Sequence, residues 1–288
     1  ATFGLLLLGA LVHPTGSSLV CPDWPLCFGQ AFPAMKGNIA IEHGHRMAGA
    51  TIGLLTIALV IAGWRRQRGL VLLALVLVIT QGLLGGITVL YRLPPMVSTA
   101  HLAMGMTFFL VLLTTCARLG GAGGESTAPG RGLATWLFGA VFFQMVLGGL
   151  VRHLGAGFAC GNNPFTCHGD LWPVQPPEQL QMFHRACGAL ILLAVLAATP
   201  RLIRGAKSAG RPLARMAVLA APILVVVQVA LGMLTVMTNV AVAPVVAHTG
   251  GAALLLGSLW LARLSLSEAP TSRATTETSV PSFTEQPA

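Results

Sequence analysis

Glu42-His43-Gly44-His45-Arg46 leads directly into the apolar run from Met47 to Trp64, which carries no charged residue. Residues three apart share one face of a helix, so Glu42 and His45 form a stripe at the mouth of that run. About 20 apolar residues span a bilayer. Ionisable groups at such a position are costly unless a partner or a task holds them there. The fold is decided by this reading: a membrane-spanning helix with chemistry at its edge.

Composition agrees. The chain has 288 residues, 55% hydrophobic and only 9% charged, with a mean hydropathy of +0.78. Soluble domains carry about 25% charged residues. The net charge of +9 could suit nucleic acid, but 12 of the 17 basic residues fall in short segments between or after apolar runs. Those segments are Arg65 to Arg68, Arg118 to Arg131, Arg201 to Arg215, and Arg263 onward. That is the positive-inside pattern, so the partner is a lipid bilayer and not nucleic acid. Spans are predicted at about 41–63, 70–90, 97–117, 133–152, 180–200, 214–236 and 244–262. The opening run Thr2 to Val12 is too short to cross. With no initiator Met and no basic stretch before it, it reads as the outer part of a first helix and not as a signal peptide. The expectation is an all-α polytopic protein of the cell membrane with eight transmembrane helices. Both termini would be cytoplasmic. The loops 13–40, 91–96, 153–179 and 237–243 would lie on the outer face.

The chain also repeats itself. His45-Arg46-Met47-Ala48-Gly49-Ala50 matches His184-Arg185-Ala186-Cys187-Gly188-Ala189, and Leu11 to Cys21 matches Leu150 to Cys160, both at an offset of 139 residues. The stretch from Gln81 to Val89 matches Gln228 to Val236 at an offset of 147, each ending 12 residues before a histidine, His101 or His248. Two tandem, pseudo-symmetric four-helix bundles follow as the expected architecture, in parallel orientation. The N-terminal bundle takes residues 1–117 and the C-terminal bundle residues 133–262. A Gly-rich cytoplasmic linker, 118–132, joins them, and a Ser/Thr/Glu/Pro-rich tail, 263–288, is expected to be disordered.

A lone histidine in an apolar helix is usually a satisfied core residue. Here His45 and His101 in one half recur as His184 and His248 in the other, all near the outer ends of spans. Paired histidines on facing helices can take both axial positions of a heme iron. Zinc fits less well, because no third or fourth ligand recurs. The halves then differ: Glu42 precedes His45 by three residues, whereas Gln181 stands before His184. Glu42 is the only acid inside a predicted span. It either caps the helix start or places a carboxylate beside a bound porphyrin, making the first half the reaction site and the second an electron-transfer site. His43 points away from the Glu42–His45 stripe and reads as an interface residue. Arg46, Arg92, Arg152 and Arg185 sit at outer helix ends, where they suit headgroups or heme propionates. Cys21 and Cys27, and Cys160 and Cys167, lie in the first outer loop of each half. They read as structural staples or as a thiol pair that passes electrons. Cys116 and Cys187 lie inside spans and read as inert, while Trp24 and Trp172 read as interfacial anchors.

The Cys-Pro-Asp-Trp-Pro-Leu-Cys loop at 21–27, the Glu-x-x-His-Arg helix start at 42–46, and His101, His184 and His248 together resemble the heme A synthase family, from residue 9 to about 262. The resemblance implies oxidation of the C8 methyl group of heme O to a formyl group, giving heme A for terminal oxidases. It further implies Glu42 as the catalytic acid, His45 and His101 as ligands of the substrate heme O, and His184 and His248 as ligands of a heme b cofactor. Disulfides would join Cys21 to Cys27 and Cys160 to Cys167. Expected partners are the heme O synthase that supplies the substrate and a quinone or other electron carrier, with self-association through a helix face open. One departure stands out. The family's stretch like Arg-x-Thr-Gly-Ser-Gly is here His13-Pro14-Thr15-Gly16-Ser17-Ser18, whereas the second half keeps Arg152. The rival classes are a di-heme b-type membrane electron carrier and a heme transporter, neither of which has a use for Glu42.

Overall fold

The computed structural model describes residues 1–120 and 128–266. Residues 121–127 of the Gly-rich linker and the tail from 267 lie outside the described residues. Among those described the chain is all-helical: α1 (Thr2–Val12), α2 (Gly37–Leu90), α3 (Pro95–Leu119), α4 (Arg131–His153), α5 (Pro176–Ala209), α6 (Pro212–Met237) and α7 (Val242–Ser265), with a 3-10 turn at Ala156–Phe158. Helices α2 to α7 are each long and apolar enough to cross a membrane, and α1, of 11 residues, is shorter. This is a membrane protein.

Helix α2 differs from the sequence expectation of separate spans over 41–63 and 70–90. It is one element of 54 residues, which if straight would reach about 80 Å, far beyond a hydrocarbon core of about 30 Å. It is not straight. Gln67 leaves the helical region at φ −142°, ψ 40°, and a Cβ built on Gly63 would lie 2.7 Å from Cγ1 of Val71. Residues that far apart along a straight helix are separated by about 12 Å, so the chain doubles back at Gln67. Helical conformation continues on both sides because Arg and Gln are good helix formers, and one residue suffices for the reversal.

The same physics lengthens α5, which runs from Pro176 to Ala209 where hydropathy marks only 180–200. Its first turn, opened by proline at the first two positions, takes in Glu178, so Glu42 is not the only acid within a long apolar helix. A carboxylate there complements the helix dipole.

Helices α2 and α6 close in the same way. Arg92 and Leu93 adopt φ of 56° and 61°, and Asn239 and Val240 adopt 53° and 58°. The second residue of each pair returns its N–H to a carbonyl five residues back, Leu93 to Thr88 at 2.7 Å and Val240 to Thr235 at 2.8 Å. This is the Schellman closure, here built without glycine, at a cost of about 1–2 kcal/mol for each left-handed residue.

The core lies where α3, α4 and α7 meet, around Met106, Leu110, Leu137, Val141, Leu256 and Leu259. Glycines let the backbones close up there. Gly149 of α4 lies against Thr99 and Leu102 of α3, Gly257 of α7 against Phe109 and Leu113 of α3, and Gly250 of α7 against Phe3 and Leu7 of α1. Small residues at such crossings are the usual means of close helix packing in lipid. Trp260 Nε1 donates to Thr114 Oγ1 at 2.7 Å, tying α7 to α3. The outward surface is apolar: Leu54, Ile61 and Ile223 are exposed, as lipid contact requires.

Candidate functional site

Each of the four histidines is pressed against a glycine of a neighbouring stretch. A Cβ built on Gly9 of α1 would lie 3.0 Å from Cε1 of His45, and one on Gly85 of α2 would lie 3.1 Å from Cε1 of His101. The corresponding values are 2.9 Å for Gly148 of α4 and His184, and 3.0 Å for Gly232 of α6 and His248. Any larger residue would displace the ring. His45 and His101 lie within electrostatic reach of one another, and so do His184 and His248. The structure thus brings together the two pairs expected from the sequence.

Three glutamines brace these histidines. Gln81 Nε2 donates to the His101 carbonyl at 3.0 Å, Gln144 Nε2 to that of His184 at 2.8 Å, and Gln228 Nε2 to that of His248 at 2.9 Å. Sequence reasoning assigned them no role. The signal was present for Gln81 and Gln228, which head the repeated stretch before His101 and His248. None marked Gln144. The carboxamide oxygens of all three, and Nδ1 of His45, His101 and His184, are buried without a partner in the protein. An unsatisfied buried polar atom costs about 1–3 kcal/mol, so each cluster is built to receive something polar. Two imidazoles on facing stretches, with glycine clearance around them, fit the axial ligation of a heme.

Glu42 is 4% exposed. It lies beyond the first turn of α2, which begins at Gly37, and so does not cap the helix. Its Oε2 accepts the N–H of Cys21 at 2.8 Å, and its Oε1 accepts from Arg46 Nη2 at 2.6 Å. In the other half Gln181 Oε1 accepts the N–H of Cys160 at 2.9 Å, while its Nε2 donates to the Gly157 carbonyl at 2.8 Å. Acid and amide therefore anchor the same point of two similar loops. Disulfides close both loops, Cys21 to Cys27 and Cys160 to Cys167.

The arginines are placed in three ways. Arg46 Nη1 donates to the carbonyls of Asp23 at 2.7 Å and Leu26 at 2.5 Å, and Arg185 Nη1 to that of Asn163 at 2.9 Å. Both hold the cysteine loops down, although Nε and Nη2 of Arg185 remain buried and unpartnered. Arg152 reaches from α4 to the Ala10 carbonyl of α1 at 3.2 Å. His13, which stands where the first half would carry the equivalent arginine, has its ring 6.1 Å from that of His153. Arg92 is exposed in the turn after α2. Trp24 lies over Gly86, its ring 2.8 Å from where a Cβ would stand, so it seats the loop on α2. Asp23 accepts the N–H groups of Phe28 at 2.7 Å and Gly29 at 2.8 Å. Those bonds, that of Gly29 foremost, hold its carboxyl below the usual carboxylate range, with Arg46 adding to them. His43 is buried beneath this loop.

Residues 34–260 match the model of the COX15-CtaA family, described as cytochrome oxidase assembly protein. Proteins named heme A synthase from Bacillus cereus (strain G9842), Bacillus cereus (strain Q1) and Bacillus anthracis (strain A0248) are each 30% identical over 260 residues, covering 85% of this chain and 83% of their own. With its paired histidines and its two disulfide-closed loops, the chain belongs to the COX15-CtaA family of cytochrome oxidase assembly proteins.

Proposed function

We propose that this chain is a heme A synthase that oxidises the C8 methyl group of heme O to the formyl group of heme A within the membrane. The observation that carries the reading is a difference between two sites that share their histidine pairs and disulfide loops. Glu42 and Gln181 hold equivalent N–H groups, yet only one brings a negative charge. His45 and His101 would bind the substrate heme O, with Gln81 fixing the backbone of His101. His184 and His248 would hold a heme b cofactor, which when bound supplies one-electron transfer. If a hydride equivalent, two electrons with one proton, passes from the methyl carbon to an electron acceptor at the alcohol stage and again at the aldehyde stage, positive charge develops on that carbon each time. A buried carboxylate stabilises such charge without reorganising. Arg46 holds the Glu42 side chain in place at 2.6 Å, and the loop above buries it.

The matching architecture favours counting α2 as two spans across Gln67. With α1 this makes eight segments in two four-helix bundles, residues 1–117 and 133–262. The basic segments then lie in the cytoplasm and the disulfide loops on the outer face, where disulfides persist. The heme O synthase is the natural neighbour, since heme O is too apolar to travel through water.

The test is Glu42→Gln. Heme A formation should fall by about 10²-fold or more, the size of losing one preorganised electrostatic contact. Pigment extracted from the purified variant should still hold heme b together with heme O. An unchanged yield of heme A would overturn the reading and leave a di-heme electron carrier, as would extraction of heme b alone from cells supplied with heme O.

A further inference from the structure

We propose that the first disulfide loop conceals a redox-gated metal site, in which reduced Cys21 and Cys27 together with His43 bind one Zn2+ ion. Sγ of Cys21, Sγ of Cys27 and a ring nitrogen of His43 all lie within 4.8 Å of one another. The three residues are 0%, 0% and 3% exposed. His43 Nε2 lies 2.9 Å from the Ala31 carbonyl, which can only accept, so the proton sits on Nε2. In the neutral imidazole that leaves the lone pair on Nδ1, which is buried without a partner. An imidazole that donates one N–H to a backbone carbonyl and offers its other nitrogen is the arrangement seen in metal-ligating histidines.

The other half shows that the fold does not demand an imidazole here. At the offset of 139 residues Met182 replaces His43, and it packs with Cys160 and Cys167 in a small apolar cluster. Zn–S bonds of about 2.3 Å in a tetrahedral set place two sulfurs about 3.8 Å apart, so little opening of the loop is needed. Three protein ligands leave a fourth position for water, which makes the ion exchangeable. Two thiolates neutralise the ion, so no net charge is buried.

The chemistry balances. An external dithiol delivers two electrons and two protons to the Cys21–Cys27 bond and becomes a disulfide itself. Zn2+ then binds both sulfurs and Nδ1 and displaces the two thiol protons to solvent. In the oxidised protein the sulfurs are joined to each other, and the site is closed.

The experiment uses the full chain purified in detergent with both loop disulfides reduced by a non-chelating phosphine, dialysed against micromolar Zn2+ and analysed for zinc per chain. The His43→Met variant, which copies the other half, is treated alongside. The expected result is one more tightly held zinc in the reduced wild type than in the variant, at least tenfold stronger in competition with a chelator, with no difference between the two when oxidised. Equal zinc in reduced wild type and variant would overturn the proposal, whether both bind or neither does. Cys160→Ser/Cys167→Ser removes the second loop's thiols, and the difference should survive in it. If that variant does not fold, the comparison with both loops intact decides.

Discussion

An alanine at Gly148 would place its methyl carbon 2.9 Å from Cε1 of His184, closer than any real contact, and α4 cannot retreat because Gly149 is already against α3. Gly148→Ala should therefore tilt the imidazole and cut the pigment retained per chain several-fold. Gly4→Ala, on α1 with nothing within 4 Å of its Cβ, should leave it unchanged and gain up to about 1 kcal/mol of helix propensity. Equal pigment in both variants would show that the glycine clearance does not position the ring. Asp23 gives a prediction in pH. Its folded value is lowered, so the stability it lends the loop is complete above the ordinary carboxylate value of about 3.9 and is lost as pH falls from there through the folded value. Amide exchange at Phe28 and Gly29, corrected for intrinsic rate, should stay flat from pH 7 to 5 and rise only below the ordinary value. In Asp23→Asn, which keeps one of the two acceptor oxygens, one of the two amides should exchange fast throughout and neither should show the acid-side rise. At this scale the histidines, Glu42 and the cysteines were legible because each occupies a marked place in a repeated pattern. Gln144 and the clearance glycines were not, because their roles depend on which backbone lies opposite. The loop-holding roles of Arg46 and Arg185 were hidden for the same reason: their partners are carbonyls, which no sequence displays.

Among the helices, the reversal in α2 is the feature least legible in the sequence. Hydropathy located the break, since Arg65, Arg66 and Arg68 interrupt the apolar run. It could not show that Gln67 makes the turn, because Arg and Gln are good helix formers and propensity would have marked Gly69 instead. What holds the two arms is close packing at Gly63, where a Cβ would meet the branched, fully buried Val71 at 2.7 Å. Gly63→Ala should lower the thermal stability of the purified protein by about 1–3 kcal/mol, the cost of overpacking a filled site. Val71→Ala in the same chain should restore part of it, because the removed methyl groups free the space the new one needs. The double variant measured against both single ones isolates that contact. Simple addition of the two losses would mean that the arms are held elsewhere.

For the whole molecule, the two halves share their disulfide-closed loops, their paired histidines, the glutamine that braces the second histidine of each and their helix closures. Beside His43 for Met182 and His13 for Arg152, they differ in Glu42 for Gln181. Gln181 uses both ends, accepting from Cys160 and donating to Gly157. A carboxylate in its place would keep the first bond and set an oxygen against the Gly157 carbonyl, leaving a buried acceptor unpaired. Arg185 Nη1 is engaged with Asn163 and Thr166, and its unpartnered Nη2, even turned to the new carboxylate, would leave the Gly157 carbonyl without the donor it now has. Glu42→Gln is gentler. The amide keeps one of the two bonds, and Arg46, though it loses its acid, retains the carbonyls of Asp23, Leu26 and Cys21. The exchange of charge between halves is thus not symmetric. Gln181→Glu should destabilise the protein by about 1–3 kcal/mol, and it should not add to heme A formation. The double exchange Glu42→Gln/Gln181→Glu should be both less stable and inactive, because the charge then lies beside the wrong pair of histidines. Thermal melting in detergent and heme A yield in membranes read the two effects separately. Recovery of activity in the double exchange would mean that either pair can serve the reaction, and the assignment of one half to substrate and the other to cofactor would fail.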